Sequence, residues 1–333
     1  MLSRVANSLY WLSRYIERAE NLARLSDVSG HDALESMGSD EIWHPVLYAT
    51  GTEKAYAAAL KKAGTSSLDV GRFISLSPEN PDSIRQCIAQ ARENARMVRD
   101  QVSEDMWLEI NRFHLFLRSP AAERLWESRP EEFYRDVIKF CLLFEGLIES
   151  TILHDEGWQF TQAGIYLERA DKTSRFLDML TYSGTPSRSQ LASVLRSCSA
   201  LSAFRREFRG DITLSNVVEF LLFSESFPRS IRFCVRHFDE TLHAISGYPV
   251  GSYANEVERL TGSLLARLSF SNPESVWAVG LHEFLDSLQA ELNILGQQTF
   301  ETYVLLPSEI EKLARPRDSY NLFQFHQQQQ QQQ

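Results

Sequence analysis

Apolar side chains at Leu2, Val5, Leu9, Leu12, Ile16, Ala19 and Ala23 follow alternating steps of three and four, which lines them along one side of a long helix. The same period returns over residues 84–102, 133–153, 160–180, 191–208, 231–245, 257–268 and 276–305. Strict apolar–polar alternation, the mark of a half-buried strand, is missing throughout. The pattern predicts an all-α protein, a large antiparallel helical bundle.

Helix-start signals agree. Asn80-Pro81 reads as a cap with proline in the first turn, and Arg129-Pro130-Glu131-Glu132 opens a helix with acids at its positive end. Asn216 and Glu219 have capping-box spacing. Loops are expected at 75–80, 183–187, 209–213, 246–252 and 271–273. None is rich enough in Gly, Ser or Pro to act as a flexible linker, so one helical domain is expected over 1–315. Residues 316–333 break the period and end in a glutamine run, a composition that cannot offset its ordering entropy.

The 333 residues include 43% hydrophobic and 23% charged residues, enough for a substantial core. A formal net charge of -10 argues against a general nucleic-acid partner. Cys87, Cys141, Cys198 and Cys234 lie too far apart for a zinc ribbon or redox dithiol and read as small buried hydrophobes. No apolar run reaches membrane-spanning length, and the first residues enter a helix without a signal-peptide pattern. A cytoplasmic location without membrane association is expected.

An internal repeat is the most informative feature. Tyr15-Ile16-Glu17-Arg18-Ala19-Glu20-Asn21-Leu22-Ala23-Arg24 returns as Tyr166-Leu167-Glu168-Arg169-Ala170-Asp171-Lys172-Thr173-Ser174-Arg175. Tyrosine, an aliphatic, Glu-Arg-Ala, an acid and a distal arginine keep their places, so two half-repeats of about 1–150 and 151–305 are expected. Glu17, Asn21 and Arg24 share a helix face, as do Glu168, Lys172 and Arg175. Each following arginine turns about 100° away. If the halves pack with pseudo-twofold symmetry, Glu17 meets Arg169 or Arg175 while Glu168 meets Arg18 or Arg24. Three readings stay open for these charges: a buried structural network, a ligand or partner site, and a solvated face.

These segments resemble the alpha-E family, a helical domain with a Glu-Arg motif. The resemblance is carried by the opening residues Met1-Leu2-Ser3-Arg4-Val5-Ala6 and by the run from Leu9 to Asn21. It continues in Asp155-Glu156-Gly157-Trp158 with the second Glu-Arg helix, in Glu93 to Asp100 with Ser103, Trp107 and Asn111, and in Phe227-Pro228-Arg229-Ser230. It covers about residues 1–307 and departs at Ile165, where Arg14 stands in the first copy. The resemblance implies company with a circularly permuted ATP-grasp protein, and with transglutaminase-like or proteasome-like peptidases, in a system that makes or processes amide bonds.

The residues themselves offer little chemistry. No phosphate-cradling glycine loop is present, so ATP would belong to a partner and no cofactor is expected. Ser13, Ser174 and Ser230 lack a nucleophile elbow or a paired histidine and read as packing or capping residues. Glu41 to His44 and Glu240 to His243, with Glu17 and Glu168, mimic the order of di-iron carboxylate bundles. Chance spacing accounts for them and Pro45 disturbs the first, so no metal is expected. His154-Asp155-Glu156 points three ways on a helix, with Asp155 as a cap. Arg96 and Arg99, with Arg229 and Arg232, could build a concave basic site for carboxylates, phosphates or an acidic peptide; the plainer alternative pairs them with Glu17 and Glu168.

The functional expectation is an accessory helical protein that docks onto an ATP-grasp-type ligase. The alternatives are an amide-forming or amide-cleaving enzyme using the Glu-Arg core, and a scaffold. Exposure of Trp43, Trp126 or the segment 204–208 would mark a docking surface.

Overall fold

A computed structural model describes residues 1–35, 40–182 and 184–305, without the side chains of 34, 35 and 40–42. The break in the helical period at 316–320 and the glutamine run lie outside the described residues, as do the side chain of Glu41 and residue 183. In chain order the helices are α1 (Ser3–Glu35), α2 (Asp40–Thr50), α3 (Glu53–Ala63), α4 (Val70–Ser75), α5 (Ile84–Met97), α6 (Glu104–Leu117), α7 (Pro120–Ser128) and α8 (Pro130–Thr151). They continue as α9 (Glu156–Asp178), α10 (Arg188–Ser197), α11 (Leu201–Glu207), α12 (Leu214–Phe223), α13 (Ile231–Ser246), α14 (Glu256–Phe270), α15 (Pro273–Val279) and α16 (Leu281–Tyr303). The fold is all-α, with no strand among the described residues. No described helix is long and apolar enough to cross a membrane.

Helices α1 and α9 form the centre. They run side by side in the same direction: the Met1 amino group meets Glu156, and Arg18 meets Glu168. Their outer neighbours run antiparallel to them. Helix α5 starts beside Arg18 and passes Tyr15 with Cys87, while α13 starts beside Thr173 and passes Tyr166 with Phe233. Helix α8 packs across α1, and α16 packs along α9.

Because α9 is surrounded, it buries polar and apolar positions alike from Phe160 to Asp178, including Glu168, Arg169, Asp171 and Lys172. A helix in that position cannot show a single apolar stripe. The core is one continuous cluster, and all four cysteines are free and buried in it.

Several sequence-expected boundaries move for local reasons. The run 191–208 divides into α10 and α11 at Ser199, which takes a left-handed φ of 53°. The run 276–305 divides at Gly280, whose φ of 106° suits glycine. Asn216 is not a cap: Thr213 caps α12 by accepting the Asn216 amide, and Asn216 stands inside the first turn. Ser83 rather than Asn80 caps α5, while the Asn80 side chain holds the preceding turn through Phe73 and Asp82. Arg129-Pro130 starts α8 with proline at its first turn, as expected.

A crossed Glu-Arg network between the central helices

The repeat sets α1 against α9 at equivalent positions. Ser13 and Gly164 occupy the same place in the two copies and touch where the helices meet. A Cβ on Gly164 would overlap Ser13 Oγ and the Tyr10 carbonyl oxygen. One turn further on, the charged pairs exchange partners across this contact. Arg169 forks onto Glu17, with Nε 3.1 Å from Oε1 and Nη2 2.7 Å from Oε2. Arg18 forks onto Glu168 with the same two nitrogens, at 2.7 and 3.2 Å. Both glutamates are fully buried, where bidentate geometry is needed to offset desolvation.

A second arginine completes each glutamate from a different source. Arg14 Nε lies 2.7 Å from Glu168 Oε2; at the matching position of α9 stands Ile165. Glu17 instead receives Arg229 from the turn before α13, with Nη1 2.8 Å from Oε1, while Nη2 reaches Glu20 at 2.5 Å. Asn21 donates to Glu17 at 2.8 Å, and Lys172, its counterpart, lies 3.4 Å from Glu168.

Arg229 reveals a second repeat. Pro81-Asp82-Ser83-Ile84-Arg85-Gln86-Cys87 recurs as Pro228-Arg229-Ser230-Ile231-Arg232-Phe233-Cys234. Both serines cap the helix that follows, and both donate to the carbonyl of a serine six residues earlier, Ser77 or Ser224. At the position of Arg229 the first half places Asp82, which pairs with Arg18. The plan is repeated with its charge reversed.

The distal arginines stay on their own helices: Arg24 bonds Glu20 at 2.7 Å and Arg175 bonds Asp171 at 2.9 Å. The contacts Glu17–Arg175 and Glu168–Arg24 are therefore not made. Nor is the concave basic site. Arg96 pairs on the surface with Glu93, and Arg99 lies over Trp107 and donates to the Val102 carbonyl. Arg232 pairs with Glu225, and Arg229 is buried in the network. These four arginines each found a nearer carboxylate, carbonyl or ring. Glu20, Asp82 and Glu145 join the network without having been singled out, and Arg14 joins it as the residue whose counterpart is Ile165. The Pro-x-Ser-Ile-Arg-x-Cys repeat could have revealed Asp82; Glu145 has no sequence signal.

Burial alone would raise the Glu17 and Glu168 carboxyls. Arg169 and Arg229 on the one, and Arg18, Arg14 and Lys172 on the other, overcome this and hold both well below the ordinary range. Asp171 is lowered in the same way by Arg175 and Lys172. Glu145 on α8 differs: burial, with Glu17 and Glu20 nearby, pushes it to about 8 although Arg169 Nη2 lies 2.8 Å away. Glu20 Oε2 is buried without a hydrogen-bond partner among the described residues.

Carboxylate oxygens of Glu17, Glu20 and Glu145 approach within 4.8 Å of one another, the donor set of a hard cation. The fit is poor, because Arg169 already bridges Glu17 and Glu145 while Arg229 bridges Glu17 and Glu20. Glu240 pairs with His237, and His243 lies buried beside Asp239 and Glu258, so this Glu-x-x-His pair serves neither Glu17 nor Glu168. His44 bonds the Tyr182 hydroxyl at 2.6 Å.

Ser13 and Ser174 donate to their own helix carbonyls, and Asp155 caps α9. Burial pushes all four thiols up, away from nucleophilic thiolate.

Glu145 sets a pH dependence. A carboxyl raised on folding binds more protons folded than unfolded, so stability is lost as pH climbs from the ordinary carboxylate range to about 8. Glu17, Glu168 and Asp171 act oppositely: their contribution is present above that range and lost as pH falls below it. Urea unfolding is expected to show a loss on the order of 1–3 kcal/mol between about pH 5 and pH 8. Glu145→Gln should flatten this limb; an unchanged slope would show that another group titrates.

A duplicated Glu-Arg helix pair at the centre of an all-α fold defines the class of this protein. The chain belongs to the Alpha-E family, described as a predicted alpha-helical domain with a conserved ER motif, whose pattern matches residues 1–304. It is similar to uncharacterized proteins of Mycobacterium bovis and Mycobacterium tuberculosis, each 27% identical over 94% of this chain. The chain spans 38% of the length of those relatives. No solved structure matches it.

Proposed function

We propose that this chain is an accessory helical module that works bound to an ATP-grasp-type ligase in a cytoplasmic amide-bond-forming system, with transglutaminase-like or proteasome-like peptidases in the same system. The observation that carries the reading is the length of the relatives: a region like this whole chain accounts for 38% of each, leaving most of each polypeptide for something joined to it. The site agrees, because the Glu-Arg groups are engaged with one another and not aligned with a nucleophile.

A docking face is available, though not where the sequence suggested. Phe204 is buried, and Trp43 and Trp126 are half-buried. Leu108 and Leu115 on α6, with Leu142 and Leu143 on α8, are exposed, and Leu143 lines a cavity of about 260 Å³ with three phenylalanines, Phe113, Phe116 and Phe140, and the charged Glu109, Arg112, Asp136 and Lys139. Co-purification with a circularly permuted ATP-grasp protein tests the proposal. A complex is expected, and Leu115→Asp combined with Leu142→Asp should weaken it at least about tenfold. Absence of a complex together with no effect on amide formation would overturn it.

The competing reading, an amide-forming or amide-cleaving enzyme built on the Glu-Arg core, draws on Glu145, whose carboxyl near 8 suits proton transfer at neutral pH. Turnover by the isolated chain that disappears in Glu145→Gln while the fold is kept would favour it.

A further inference from the structure

We propose that the Glu168 side of the network binds a compact oxyanion, a carboxylate or phosphoryl group, seated on Arg175 with Lys172 and Arg18 beside it. The first observation is a charge imbalance. Four cations, Arg14, Arg18, Lys172 and Arg175, share three carboxylates, Glu168, Asp171 and Asp82. Asp178, one turn beyond Arg175, is bonded by His282, Tyr48 and Thr181 and not by Arg175. On the Glu17 side Arg24, Arg169 and Arg229 are each held by Glu17, Glu20 or Glu145. The extra cation of the Glu168 side is partly shielded from solvent.

The second observation is the state of Arg175. Its Nε alone is engaged, with both Asp171 oxygens at 3.0 and 2.9 Å. Neither Nη nitrogen has a hydrogen-bond partner among the described residues, and the side chain is 23% exposed. A guanidinium fixed through Nε presents its two remaining donors as a fork, the geometry that matches carboxylate and phosphate oxygens. Arg18 lies close enough to oppose the Arg175 charge, and Lys172 is on the same face of α9. At the rim, Asp82 is the most exposed of the three acids and holds Arg18, so it competes with an incoming anion.

The test uses the chain alone, so failure of the ligase reading leaves its outcome intact. Inorganic phosphate and sodium acetate are titrated at constant ionic strength against a chloride control, with binding read by calorimetry and by the urea midpoint. Saturable binding is expected for at least one, and the better probe shows whether the natural group is phosphoryl or carboxylate. Arg175→Gln should weaken binding at least about tenfold, Arg24→Gln should leave it unchanged, and Asp82→Asn should tighten it. The Asp82→Asn arm decides if Arg175→Gln does not fold. Binding no better than chloride, or variants that all bind as the wild type does, would overturn the proposal.

Discussion

Replacing Glu168 with glutamine is expected to destabilise the fold by about 3–5 kcal/mol. The side chain is fully buried, and it accepts from Arg14 and Arg18 and faces Lys172 at 3.4 Å. Glutamine keeps the shape but removes the negative charge that all three cations share. It also turns a donor toward guanidinium groups that only donate. The cost is dominated by cations left buried without a counter-charge, which solvent cannot repair at this depth. Arg14→Met should be milder, because Glu168 then retains Arg18 and Lys172. A double variant, Glu168→Gln with Arg18→Met, should lose less than the sum of the single losses, since it removes charges of both signs. Urea unfolding of the wild type, the single variants Glu168→Gln, Arg14→Met and Arg18→Met, and the double variant measures this. A loss under about 1 kcal/mol for Glu168→Gln would mean that water reaches the pair and screens it as it screens a surface bridge.

How far this network could be read from sequence follows from the physics of each part. The exchange of partners between Glu17-Arg18 and Glu168-Arg169 was legible because a repeat implies equivalent surroundings, and a pseudo-twofold contact places each acid against the other copy's arginine. Arg24 and Arg175 were harder to place, because the acid four residues earlier on the same helix competes with any partner across the interface. Arg229 was visible as a motif residue with two readings, a basic site or a partner of Glu17 or Glu168, and it bonds Glu17. Its place in the Pro-x-Ser-Ile-Arg-x-Cys repeat, opposite Asp82, is a second sign that ties it to the core. Glu145 lies on α8, which carries no copy of the motif, and only the packing of α8 across α1 brings it to Arg169. The helices themselves were legible where one face is buried, as in α5 and α13. The breaks at Ser199 and Gly280 were not, because two successive helices that keep the same apolar period look like one.

Gly164→Ala is expected to cost roughly 3 kcal/mol or more, although alanine favours a helix interior over glycine by about 1 kcal/mol. The steric term wins because the added carbon would overlap the Tyr10 carbonyl oxygen, which belongs to the α1 backbone, as well as Ser13 Oγ. The hydroxyl is already committed, donating to that same carbonyl at 3.0 Å. A flexible side chain could move aside; a helix backbone can do so only by shifting α1 along its length. That shift would be felt one turn away, where the arginine forks on Glu17 and Glu168 depend on the present spacing. Gly164→Ala should therefore lower the urea midpoint and also reduce the steepness of the pH limb set by Glu145, since Arg169 links that carboxyl to the crossing. Gly146→Ala, in α8 with open space around its Cβ, is the control and should stabilise by about 0.5–1 kcal/mol. If both substitutions stabilise to the same degree, α1 and α9 are not in contact at Ser13 and Gly164. The crossed network would then have to be held by its charges without the close approach of the two helices.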